Sequence, residues 1–141
     1  MWLANRGSEE GALVFLSKDR TEMIIGVVGP CGAGKSSLVA GLNQHGYTVR
    51  HIAQEHSYVP DMWQRISHPD ILIYLQVSYK NTILRRHLDW TIDEFNEQLR
   101  RLKHAKQHAN LVIDTNPLTV DDVLAKVIDF IESDSMTAIN N

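Results

Sequence analysis

Met23-Ile24-Ile25-Gly26-Val27-Val28-Gly29-Pro30-Cys31-Gly32-Ala33-Gly34-Lys35-Ser36-Ser37-Leu38-Val39 is the stretch on which the fold turns. Residues 23–28 form a continuous apolar run, which suits a strand covered on both faces, as in parallel sheets. A glycine-rich turn follows at once. Residues 35–44 then read as a helix, with Leu38, Val39 and Leu42 on one face. His45 and Gly46 end it, with Gly46 as the left-handed cap.

Working outward, the same alternation repeats. Residues 47–52 are β-rich and read as a second strand. Residues 57–67 hold a short helix, stopped before Pro69. Residues 70–77 form the next buried strand and 81–88 a helix. Thr91 opens another helix, with Glu94 at capping-box spacing; its apolar face is Ile92, Phe95, Leu99, Leu102 and Ala105. Residues 111–113 are a last strand. Thr119 caps a final helix whose apolar positions are Val120, Val123, Leu124, Val127, Ile128 and Ile131. Parallel strands need crossover connections, and helices supply them. The expected fold class is therefore α/β, a three-layer α/β/α sandwich around a mostly parallel sheet. In such sheets ligands bind at the carboxyl ends of the strands.

The expected organisation is one domain over residues 23–132. An N-terminal extension, 1–22, precedes it. There Ala12-Leu13-Val14-Phe15-Leu16 could be an extra edge strand or could pair with a second copy, giving a homodimer. A polar, flexible tail, 133–141, follows. The chain has 141 residues, a net charge of −3 and one cysteine. That charge gives no general affinity for nucleic acid, so an anionic ligand needs a local basic cluster. A single cysteine forbids an intramolecular disulfide and fits a reducing compartment. No apolar run approaches the roughly 18 residues of a spanning helix. No membrane association and a cytoplasmic location are expected.

Gly29, Gly34, Lys35 and Ser36 fit G-x-x-x-x-G-K-S/T without a gap. The glycines let the backbone wrap tightly. Its N–H groups then point inward and cradle phosphate oxygens, and the following helix aims its positive end at the same anion. Gly29, Pro30, Cys31, Gly32, Ala33, Gly34, Lys35, Ser36 and Ser37 are the expected phosphate-binding residues. Lys35 would reach the β- and γ-phosphates of a nucleoside triphosphate, and the Ser36 hydroxyl would hold Mg²⁺. No Asn-Lys-x-Asp guanine-reading motif accompanies them, which tilts the choice to ATP. Cys31 at a helix N-terminus could be a reactive thiol; a small space-filling role is favoured.

With this loop, the chain resembles the small P-loop kinases, the group of shikimate, adenylylsulfate and nucleoside monophosphate kinases. Residues 70–77 followed by Arg85-Arg86 are similar to the group's fourth core strand and the helix leading to its lid. Ala109-Asn110-Leu111-Val112-Ile113-Asp114-Thr115-Asn116, with Thr119 opening a helix, is similar to its last strand and C-terminal helix. The resemblance implies the P-loop NTPase fold and an ATP- and Mg²⁺-dependent phosphotransferase, acting on an unknown small-molecule acceptor, whose lid arginines clamp the transferred phosphate. Arg85, Arg86, Arg100 and Arg101 are the candidates, Arg85 and Arg86 preferred. It also implies that Thr115, Asn116 and Pro117 lie on the nucleotide-base side. A magnesium carboxylate is expected at a strand end, with Glu55 preferred over Asp114, which reads as a strand-end hydrogen-bonding residue. The group usually inserts an acceptor-binding region after the second strand, whereas residues 56–69 leave room for little more than one short helix. A second reading follows from that brevity: a P-loop ATPase or nucleotide-gated interaction protein with no small acceptor.

Other constellations carry less. His56, Ser57 or Asp61, near a strand's carboxyl end, could hold an acceptor or serve as a base; a polar loop is the favoured reading. His104 and His108 lie one turn apart without a third ligand, so a solvated helix face is expected. Trp63 and Met62 read as packing residues.

Overall fold

The computed structural model describes residues 22–86 and 89–140. Four strands, β1 (Ile24–Val28), β2 (Thr48–His51), β3 (Ile71–Gln76) and β4 (Leu111–Asp114), form one sheet in the order β2-β1-β3-β4. Every pair in it is parallel. The helices are α1 (Lys35–Gln44), α2 (Met62–Ser67), α3 (Tyr79–Arg86), α4 (Ile92–His108) and α5 (Val120–Asn140), with a single 3₁₀ turn at Gln54–His56. Successive side chains of a strand face opposite sides, and β1 and β3 are apolar on both. Ile25, Val27, Ile71, Ile73 and Leu75 pack with Leu38 and Leu42 of α1 and with Val127 and Ile131 of α5. Val28, Leu72 and Tyr74 pack with Trp63 of α2 and Leu102 and Ala105 of α4. Two cores, one on each face, thus sandwich the sheet between helices. Burial pushes the Tyr74 hydroxyl up to about 12.

Side chains extend the ladder where the strands begin. Ile24 N–H donates to Asp70 Oδ2 at 2.8 Å, and Leu72 N–H donates to Asn110 Oδ1 at 2.7 Å. α4 opens on the expected reciprocal cap: Thr91 Oγ1 accepts the Glu94 N–H at 3.1 Å, and Glu94 Oε1 accepts the Thr91 N–H at 2.9 Å. Thr91→Ala should therefore lower the unfolding free energy by about 1 kcal/mol, read as a shifted urea midpoint. α5 opens similarly, with Thr119 and Asp122 bonded in both directions at 3.1 Å. The Thr119 backbone N–H, then its hydroxyl, holds the Asp122 carboxyl below the usual range.

Several expectations shift. The short helix expected within 57–67 is present at Met62–Ser67; ahead of it the Ser57 hydroxyl turns the chain by accepting the Val59 N–H at 3.1 Å. On α4, Ile92 and Leu99 are exposed while Gln98 is buried, where it meets the glycine loop at Cys31. Val120 is also exposed, lying in the first turn of α5 before the helix reaches the sheet. α5 continues to Asn140, beyond the expected domain boundary at 132. The strand expected at 12–16 lies outside the described residues, as do His87 and Leu88, the last two residues of the helix expected over 81–88. Among the described residues, no helix is long and apolar enough to cross a membrane.

β1 has β2 on one side and β3 on the other. The chain leaves β1 in one direction and later returns on the other side. That switch point opens a crevice at the carboxyl end of β1, where open α/β sheets bind ligands.

Candidate functional site

The glycine loop that follows β1 occupies this crevice, and sterics explain its composition. Gly29 has φ +156°, and a Cβ there would lie 2.5 Å from the Leu75 carbonyl oxygen of β3. Gly32 has φ +85°, and its Cβ would meet Thr82 of α3 at 3.0 Å. Gly34 has φ +100° but nothing within 4 Å of the Cβ position. The first two glycines admit the loop between its neighbours; the third borders open space. Gly34 caps α1 without a side-chain bond. Among the described residues, no protein acceptor engages the N–H groups of Gly32, Gly34, Lys35 or Ser36. These are the donors a helix N-terminus leaves for an anion.

Lys35 is buried, at 6% exposure. Its ammonium donates to the Gly29 and Pro30 carbonyls at 2.5 and 3.1 Å and lies 2.9 Å from Glu55 Oε2. Glu55, 4% exposed, sits on the 3₁₀ turn after β2. Its other oxygen, Oε1, is buried without a hydrogen-bond partner. The pairing of β2 beside β1 brings Glu55 to the loop. His51, at the end of β2, has its pKa lowered, chiefly by partial burial and then by the Lys35 charge, with Glu55 opposing.

A cavity of about 400 Å³ opens beside the loop. Its wall includes Gly34, Ser36 and Ser37 from the loop and α1, Arg85 and Arg86 from α3, and Thr115 after β4. Residues far apart in sequence, expected to act together, do line one space. The two arginines differ, however. Arg85 donates to the hydroxyl and carbonyl of Thr115 and to the Asn116 carbonyl, so it ties α3 to the end of β4. For Arg86 no such tie exists among the described residues. Arg85→Ala should lower stability by about 1–2 kcal/mol, whereas Arg86→Ala should leave the melting temperature unchanged; thermal denaturation of the two variants side by side checks this.

Other expected residues lie elsewhere. Asn116 does not line the cavity: its Oδ1 accepts from Ser78 N–H and Asn81 Nδ2, closing the β3 and β4 ends together. Pro117 borders a separate hollow beside β4, with Asp114 and Phe130. Arg100 pairs with Glu97 on the exposed side of α4. Arg101 also bonds Glu97, stacks its guanidinium 4.1 Å over Tyr58, and donates to the Glu55 carbonyl at 3.3 Å. It supports the turn that carries Glu55 and does not reach the cavity. Asp114 Oδ1 accepts the Asn116 N–H, the strand-end role expected of it. Trp63 is packed, as expected, and its Nε1 donates to His104 Nδ1, while His104 stacks on His108. His104 thus has a packing role rather than a solvated one.

Sequence reasoning missed Gln98. Buried on α4, it accepts the Cys31 N–H at 2.9 Å through Oε1 and donates Nε2–H to Cys31 Sγ at 3.2 Å. The signal was present, since 95, 98, 102 and 105 share one helix face and only 98 is polar. Compared with known proteins, the chain matches no family model and no curated protein.

Proposed function

We propose that this chain binds ATP with Mg²⁺ at the glycine loop and transfers the γ-phosphate to a small-molecule acceptor. The observation that carries this is the shared cavity: uncommitted N–H groups, two serine hydroxyls and the Arg86 guanidinium surround one space beside Gly34. The donor set fits a triphosphate. Backbone N–H groups and a planar guanidinium both suit phosphate oxygens, and the clearance at Gly34 leaves room for them. The Ser36 hydroxyl, with the unpartnered Glu55 oxygen, would hold Mg²⁺. When bound, the metal neutralises charge that builds on the transferring phosphate.

The protein's own contribution is positional. Lys35 is drawn onto loop carbonyls and Glu55; phosphate oxygens offer its ammonium the same kind of partner. Thr115 fixes Arg85 and with it the end of α3 that presents Arg86. The nucleotide arrives against a net negative chain, so these local donors, not bulk charge, must hold it.

A second reading, an ATPase or nucleotide-gated interaction protein, draws support from one observation. Between β2 and β3 there is only the 3₁₀ turn and the six-residue α2, which supplies no separate acceptor-binding unit. Calorimetric titration with MgATP and MgGTP tests the shared part, and saturable binding with ATP preferred is expected. ADP release across a panel of nucleosides, nucleotides and hydroxylated metabolites separates the readings. Turnover stimulated by one compound class is expected for the kinase; slow, acceptor-independent hydrolysis throughout rejects it.

A further inference from the structure

We propose that in the nucleotide-free protein Cys31, Glu55 and His56 form a binding site for a borderline-soft divalent cation of the Zn²⁺ type, which uses the same Glu55 carboxylate that would serve magnesium once nucleotide is bound. The three residues come from the glycine loop and the 3₁₀ turn, which the β1–β2 pairing sets side by side. Cys31 Sγ lies 3.9 Å from His56 Nε2, and His56 Nε2 lies 3.7 Å from Glu55 Oε2. One ligand atom from each residue falls within 4.8 Å of the others. Four ligands at tetrahedral zinc distances sit about 3.3–3.8 Å from one another. The trio is therefore near the spacing one ion imposes, and His56 is exposed enough to swing inward.

Two further features point to a cation there. Gln98 donates Nε2–H to Cys31 Sγ; such an outer donor orients a ligating sulfur. His56 is 61% exposed, so solvent can both deliver an ion and fill a fourth position. The ligand chemistry sets the preference. Sulfur and imidazole select zinc-like ions, while Mg²⁺ and Ca²⁺ prefer oxygen alone. Lys35, 2.9 Å from the same Glu55 oxygen, Oε2, that lies nearest His56, is the one ammonium competing for this carboxylate among the described residues.

The site needs no nucleotide, so its test is run without one, and ATP binding is measured separately. Co²⁺ serves as the probe, because coordination by a thiolate gives it a sulfur-to-metal charge-transfer band in the near ultraviolet. The chain has one cysteine, so that band can come only from Cys31. Reduced full-length protein should take up one Co²⁺ per chain with this band, Zn²⁺ should bleach it, and millimolar Mg²⁺ should not. Cys31→Ser should abolish the band. His56→Ala, at an exposed position that does not threaten folding, should keep the band but weaken Co²⁺ affinity at least tenfold, since even outer-shell partners typically contribute about tenfold or more. Absence of the band in the wild type, one ion shared by two chains, or unchanged Co²⁺ affinity in His56→Ala each overturns the site. Metal uptake without ATP binding would leave this inference standing and remove the nucleotide reading; the reverse result would do the opposite.

Discussion

Lys35→Ala should lower ATP affinity by about tenfold to a hundredfold or more and should also make the protein easier to unfold, by about 3–5 kcal/mol. The two losses have separate causes. The ammonium is the only side-chain cation placed on the loop itself, with hydrogen bonds to two loop carbonyls; on the proposed reading, bound terminal phosphates would lose this charged donor. It is also the partner of a buried carboxylate, Glu55, at 2.9 Å. Removing one member of a buried pair leaves an uncompensated charge in a poorly solvated place. The double variant Lys35→Ala, Glu55→Gln separates the effects. It should regain most of the stability, because the orphaned charge is gone, and none of the affinity. Urea denaturation and calorimetric titration on wild type, single and double variants give the four comparisons needed. A single variant that melts like wild type would show that the pair does not support the fold; one that binds ATP like wild type would remove Lys35 from the phosphate site.

The glycine loop supplies the second large effect, as a contrast. Gly29→Ala should destabilise by about 2–5 kcal/mol, combining overpacking with backbone strain. The obstructing atom is the Leu75 carbonyl oxygen, 2.5 Å from the new Cβ. It is a backbone atom of β3 and cannot swing aside, so the loop and β3 must part. Gly34→Ala faces no such atom within 4 Å. Only its positive φ of 100° opposes the change, at about 1–2 kcal/mol. The open space beside it is where phosphate oxygens are expected, so this milder variant should lose ATP affinity while remaining folded. Equal losses of stability in both variants would contradict the steric account. Unaltered ATP affinity in Gly34→Ala would contradict the placement of the phosphates.

Much of the scaffold was legible because its signals are local. The apolar runs of β1 and β3, the Thr91–Glu94 box and Gly46 past the end of α1 each follow from a few adjacent residues. The helix beginning at Lys35 could be read the same way. What escaped depends on partners distant in sequence. Gln98 sits on a face otherwise apolar, and only the presence of the glycine loop opposite turns that blemish into a pair of hydrogen bonds. Arg85 and Arg86 are chemically identical neighbours, yet a helix points them in different directions, and Thr115 captures one of them. The Asn116 bonds to Ser78 and Asn81 likewise join segments more than 30 residues apart and leave no local signal. The 3₁₀ turn at Gln54–His56 carries no periodicity of its own; Gln54 holds it by bonding the Val59 and Arg101 carbonyls.

α4 touches both lips of the crevice: Gln98 grips the loop at Cys31, and Arg101 grips the turn at the Glu55 carbonyl. The two side chains stand about one helical turn apart, roughly 5 Å along the rod. A stiff spacer therefore gauges the separation between lysine-bearing loop and carboxylate-bearing turn. Neither lip can drift without tugging the same strut, so the width of this mouth is inherited from the pitch of a helix instead of being negotiated by two independent loops.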